Sequence, residues 1–145
     1  MKINELMTTN PACCTPQTTA QEAARLMEEN DCGCLPVVDE MESRHLVGVV
    51  TDRDLALRAV ARGRSGETAI EELMTTEVAC ARAEEDVDTL QRLMSENQVR
   101  RVPVVDDHGC CVGIVAQADL ALNDEATSDQ LVGEVVENIS RPNLA

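Results

Sequence analysis

The chain is an internal duplication, and this restricts its fold more than any other feature. Glu5-Leu6-Met7-Thr8-Thr9 returns as Glu72-Leu73-Met74-Thr75-Thr76, 67 positions later. At the same offset Ala12-Cys13 matches Ala79-Cys80, Arg25-Leu26-Met27 matches Arg92-Leu93-Met94, and Pro36-Val37-Val38-Asp39 matches Pro103-Val104-Val105-Asp106. Residues 5 to 39 hold 16 identities in 35 positions on this register, and Gly48 to Leu57 share 6 of 10 with Gly113 to Leu122. Average residue usage would give roughly two or three in the longer stretch. A period of this size means one supersecondary unit built twice.

Each copy has the same grammar. In the first, Thr19-x-x-Glu22 is a capping box that opens a helix. Ala20, Ala23, Ala24 and Met27 then recur at helical spacing, as one buried face requires. Leu35 to Val38 reads as a short strand, with Pro36 expected to confine it to an edge or a strand start. Leu46 to Val50 reads as a second, fully buried strand. Thr51 opens another helix, with Leu55, Ala56, Ala59 and Val60 on one face and Gly63 as its stop. The second copy predicts a helix over Val87 to Asn97 and strands over Val102 to Val105 and Cys111 to Val115, with Asp107-His108-Gly109 turning between the strands. A last amphipathic helix is expected from Ser128, carrying Leu131, Val132, Val135, Val136 and Ile139, and ending before Pro142.

One β-α-β-β-α unit leaves a sheet face uncovered, and two can cover each other. The expected fold is therefore α/β (α+β): two pseudo-symmetric repeats packed sheet to sheet as one module, with a short C-terminal helix. Residues 1–66 form the first repeat with its linker Arg62-Gly63-Arg64-Ser65-Gly66, 67–124 the second, and 125–145 the C-terminal helix and tail.

Composition narrows the function. The formal net charge is −15, with Lys2 the only lysine, and there is no Phe, Tyr or Trp. Such a surface repels nucleic-acid backbones and has no aromatic platform for stacking bases. No apolar stretch is long enough to span a membrane, and the N-terminus lacks a signal-peptide pattern, so a cytoplasmic location is expected. Seven cysteines, an odd number, read as reduced thiols acting as small hydrophobes, since no export signal accompanies them. Cys32-x-Cys34, with Cys13, Cys14 or His45, offers an incomplete ligand set, as do His108 and Cys110, so no metal is assigned. His45 and His108 read as surface loop residues. There is no P-loop, no dinucleotide-binding glycine fingerprint and no nucleophile–base pair, hence no catalytic residue and no enzyme reading.

The helix-then-Pro-Val-Val-Asp segment, Leu46-Val47-Gly48-Val49-Val50-Thr51-Asp52-Arg53-Asp54 and their counterparts resemble cystathionine-β-synthase (CBS) domains over about residues 3 to 124. The resemblance implies a regulatory module that binds adenine nucleotides and pairs into disc-shaped homodimers through its helices. With no other segment attached, the protein it regulates is expected to be another chain.

The candidate site is Thr51-x-x-Asp54. By pattern alone it is a helix cap. A helix N-terminus also favours phosphate, and a carboxylate there can accept from both hydroxyls of a ribose. The resemblance implies that role for Asp54, with Thr51 near ribose and phosphate. It also implies that basic residues at the position of Arg100 and Arg101 reach the phosphate of a nucleotide bound beside the Asp of the other repeat. Arg53 adds a third guanidinium. Adenine, lacking an aromatic partner, would lie between aliphatic side chains near Gly33, Cys34 and Pro36. A second, weaker site is expected at Asp119, where Ala116 stands in place of Thr51 and Cys32-Gly33-Cys34 offers no positive charge. The expected ligand is an adenine nucleotide, AMP or ATP foremost, with no other cofactor. The alternatives are a ligand-free protein-interaction module and, behind it, a cysteine-based metal or redox protein.

Overall fold

The computed structural model describes residues 1–121, so the expected C-terminal helix lies outside the described residues. Two compact units emerge. The first-repeat unit gathers Asn10–Val78 with His108–Cys111, and the second-repeat unit gathers Met1–Thr9, Ala79–Asp107 and the described residues from Val112.

In the first-repeat unit, α1 (Ala20–Glu29) begins at Thr19, whose side chain accepts from the Glu22 amide at 3.2 Å. Only this half of the expected capping box is made. The Thr19 backbone instead bridges to Ala69, and Ala20 N–H donates to Thr68 O. Ala20, Ala23 and Met27 are buried as expected, but Ala24 is exposed and Leu26 is half-buried in its stead. The strands β2 (Cys34–Val38) and β3 (Leu46–Thr51) pair antiparallel.

Pro36 meets the edge half of its expectation, since among the described residues β2 pairs in a sheet with β3 alone. It sits mid-strand with its carbonyl accepting from Cys14 N–H at 3.0 Å, and Val38 N–H donates to Cys14 O at 2.8 Å. A residue's N and C=O point to the same side of a strand, so the missing N–H of Pro36 faces Cys14 and removes nothing from the β2–β3 ladder. The expectation that β3 is fully buried fails. Gly48 and Val50 are buried, while Leu46, Val47 and Val49 remain half-exposed.

After β3 the chain turns through α2 (Asp52–Asp54), a π-helical turn at Leu55–Ala59 and a 3-10 turn at Val60–Arg62, ended by Gly63 at φ 68°. The π turn takes an extra residue, so a stripe counted at 3.6 per turn does not stay on one face. Ala59 is buried and Leu55 half-buried, whereas Ala56 is exposed and Val60 is 76% exposed. The core joins Cys14, Ala20, Ala23, Met27, Leu35, Val37, Val50, Ala59, Ile70 and Leu73.

The second-repeat unit holds β1 (Thr8–Thr9), β4 (Ala81–Arg82), α3 (Val87–Asn97), β5 (Arg101–Val105), β6 (Cys111–Ala116) from Val112 onward, and α4 (Gln117–Ala121). Its sheet runs β1-β6-β5-β4, so β5 is interior even though it carries Pro103. The helix α3 has the expected bounds, with Gln98 at φ 53° closing it. Its core is Ile3, Ala81, Val87, Leu90, Met94, Val102, Val104, Val115 and Leu120.

The duplicated Glu-Leu-Met-Thr-Thr segments explain why the units do not follow the repeat boundary. The first copy pairs through Thr8 and Thr9 with Ile114 and Gly113, and the second bridges Thr75 to Val49. Each copy thus lies across the last strand of the other repeat. A Cβ on Gly48 would stand 2.8 Å from Thr75 O, and one on Gly113 3.0 Å from Thr8 O. The two equivalent glycines are there to admit a crossing backbone.

Candidate functional site

Each unit presents one strand-to-helix junction. In the first-repeat unit Thr51 ends β3 with extended φ/ψ, and its hydroxyl accepts from Asp54 N–H at 3.0 Å. Asp54 Oδ2 accepts from Thr51 N–H at 3.0 Å, which closes the capping box. Asp52 N–H donates to Gly33 O at 2.9 Å, and Cys34 is the register partner of Thr51. Gly33, Cys34, Thr51 and Asp54 therefore meet at one end of the β2–β3 pair. A Cβ on Gly33 would lie 2.8 Å from Asp52 Oδ2, so any side chain there would have to displace that carboxylate. Pro36 is two residues along β2, buried, with its carbonyl taken by Cys14.

The cap does not exhaust Asp54. Its Oδ1 lies 3.7 Å from Arg58 Nε, in a side chain only 16% exposed. A carboxylate has about four lone-pair sites, so acceptor capacity remains for hydroxyl donors. Arg58 is held by donating to Leu73 O and Met74 O at 3.0 and 3.2 Å. Sequence reasoning passed over Arg58. The signal was its i,i+4 spacing from Asp54.

In the second-repeat unit the counterpart junction has one arm fewer. Asp119 Oδ2 accepts from Ala116 N–H at 2.8 Å, but Ala116 has no hydroxyl to return. Gln117 N–H donates to Arg100 O at 2.7 Å, the equivalent of the Asp52–Gly33 bond. Arg100 and Arg101 thus stand where Gly33 and Cys34 stand in the other unit, and both are exposed. Among the described residues the guanidinium groups of Arg53, Arg100 and Arg101 take no ion-pair partner. They are uncommitted cations on a chain of net charge −15.

None of the seven cysteines is in a disulfide. Cys13, Cys14, Cys34 and Cys111 are buried, and burial, with Cys34 adding to it, pushes the Cys14 thiol up to about 12. Cys80 is exposed. Among the described residues no three His, Cys, Asp or Glu side chains converge as a metal site. His45 and His108 are exposed, as expected of loop residues. No helix among the described residues is long and apolar enough to cross a membrane.

A doubled unit with a Thr-x-x-Asp or Ala-x-x-Asp junction after the last strand of each copy defines a tandem domain pair. The chain belongs to the CBS domain family, which matches residues 3–60 and 70–124. It is 41% identical over 142 residues to CBS domain-containing protein YhcV of Bacillus subtilis, covering 98% of this chain and 97% of that protein. It is 35% identical over 118 residues to hypoxic response protein 1 of Mycobacterium tuberculosis, covering 81% and 80%. A crystal structure of hypoxic response protein I with two coordinated zinc ions is similar at TM-score 0.77 and 32% identity, over 85% of this chain and 98% of that one. The CBS domain pair of MJ0100, in complex with 5-methylthioadenosine and S-adenosyl-L-methionine, is similar at TM-score 0.74 and 33% identity, over 84% and 94%. CBSX2 of Arabidopsis thaliana in complex with AMP is similar at 0.71 and 28%, over 83% and 93%.

Proposed function

We propose that this chain is a cytoplasmic, non-catalytic regulatory module that binds an adenine nucleotide of the AMP, ADP or ATP type. In this reading Asp54 and Thr51 take the ribose, Arg100, Arg101 and Arg53 address phosphate, and Gly33, Cys34 and Pro36 border the adenine. The observation that carries it is the Thr51–Asp54 junction, where a capped and mostly buried carboxylate keeps acceptor capacity. The relatives that hold AMP, methylthioadenosine or S-adenosylmethionine share an adenosine group, which supports a ribose-binding role for such a carboxylate. The unpaired arginines favour a phosphorylated ligand over a sulfonium one, because guanidinium binds phosphate bidentately and repels a cation. Asp119, without a hydroxyl beside it, is the weaker site.

The module would act as a homodimer that passes occupancy to a partner protein. Leu57 and Val60, 48% and 76% exposed on the turns after Asp54, supply an apolar surface for that association. Titration calorimetry with AMP, ADP, ATP, adenosine and S-adenosylmethionine tests the reading. One phosphorylated ligand should bind tighter than adenosine. No heat with any of them at millimolar concentration would leave Thr51–Asp54 as a helix cap and favour a ligand-free interaction module.

A further inference from the structure

We infer that Cys13 and Cys111 form a redox-active dithiol that closes to a disulfide with hydrogen peroxide, at a site separate from the Thr51–Asp54 junction. The two cysteines are 98 positions apart in sequence, yet both are buried and Arg44 hydrogen-bonds to each. With Val38 and the half-buried Leu46 they make a small apolar cluster distinct from the main core.

Arg44 builds the site. Its Nη2 donates to Cys13 Sγ at 3.1 Å and to Pro11 O at 3.0 Å, and its Nε donates to Cys111 O at 3.3 Å. Its own carbonyl accepts from Cys111 N–H at 2.7 Å. One residue thus holds both cysteine segments by side chain and backbone, at a φ of 59° that a residue with a side chain seldom adopts. An open groove of about 440 Å³ gives access, with Cys13, Cys14, Thr15, Arg25 and Met41 in its lining and no residue of the nucleotide junction. Cys111 does not line it, so Cys13 is the attacking sulfur and Cys111 the resolving one.

The chemistry balances with peroxide as the oxidant. The Cys13 sulfur attacks one peroxide oxygen, the O–O bond breaks, and water leaves with the thiol proton, giving a sulfenic acid. The Cys111 sulfur then displaces the hydroxyl from Cys13, the S–S bond forms, and a second water leaves. The two thiols lose two electrons and peroxide gains them. Closure brings two sulfurs that already share one buried cluster to an S–S length of about 2.05 Å. Their mutual contact and burial hold the Cys13 thiol well above its ordinary range, with Arg44 opposing. Closure is therefore slow at neutral pH and accelerates with pH as the thiolate fraction rises.

The test is non-reducing peptide mapping of the whole reduced chain after peroxide treatment. The expected product is a Cys13–Cys111 linked peptide, reversed by dithiothreitol, with a melting temperature raised by roughly 5–15 °C from the long loop it closes. Arg44→Met should slow closure roughly tenfold, and Cys111→Ala should leave a Cys13 sulfenic acid that dimedone traps. If either variant fails to fold, mapping of the unmodified protein still decides. A dominant Cys14–Cys34 link, a Cys80 cross-link between chains, or over-oxidation of Cys13 without a link would overturn the inference. So would stoichiometric zinc retained on these thiols.

Discussion

At the scale of single residues, two carboxylates do nearly the same local work with different surroundings. Asp54 and Asp119 each accept from the backbone N–H three residues before them, but among the described residues only Asp54 has a hydroxyl facing it and an arginine beside it. Asp54→Ala is expected to abolish nucleotide binding in calorimetry, whereas Asp119→Ala should leave most of it. Two equal sites per chain would contradict this. Arg101→Ala should weaken AMP by roughly tenfold or more and adenosine little, since a hydrogen bond to a charged group contributes about 1.5–3 kcal/mol. Equal losses for both ligands would remove the arginine from phosphate recognition.

Asp39 provides a pH-dependent residue away from the site. Its carboxylate accepts from Ser43 Oγ, Glu40 N–H and His45 N–H, and the Ser43 bond leads in holding it below its ordinary 3.8. A depressed value in the folded state means the cap contributes above the unfolded value and is lost as pH falls through the folded one. The Glu40 and His45 amide resonances should therefore titrate with a midpoint below 3.8. A midpoint at or above that value would show that the loop bonds do not favour the charged form.

Among the elements, the crossing of the Glu-Leu-Met-Thr-Thr segments is what local reading could not supply. Val49 and Thr75 exchange bonds of 3.0 and 2.9 Å, which only a glycine at position 48 allows. Gly48→Ala should destabilise by about 1–3 kcal/mol in urea unfolding. Gly113→Ala should cost less, because its nearest neighbour is the flexible Met7 thioether and Thr8 O is farther away. An unchanged midpoint for Gly48→Ala would mean that the Thr75 backbone yields without penalty. The bounds of α3 were legible in sequence because its periodicity is local. The course of the chain after Asp54 was not, because a π turn changes which residues face inward.

For the whole molecule, the exposed Leu57 and Val60 are where the proposed association can be tested. Two large apolar side chains on one short helical run are poorly placed in water. Val60→Asp is expected to convert a dimer to a monomer in light scattering while leaving far-UV dichroism unchanged, since Val60 contributes little to the fold of its own chain. A monomeric parent protein would instead remove the homodimer from the proposed function.

The duplication, the family and the main helices and strands of each copy were determined by sequence alone, since repeat register and short-range periodicity are properties of neighbours along the chain. So was the asymmetry between Thr51 and Ala116, because a missing hydroxyl is a fact of composition. Tertiary structure decided which strand each opening segment crosses, on which side Pro36 lacks its N–H, and that Arg44 joins Cys13 to Cys111. Those outcomes rest on pairings across tens of residues, where hydrogen-bond direction and packing select one partner among several that local pattern leaves equal.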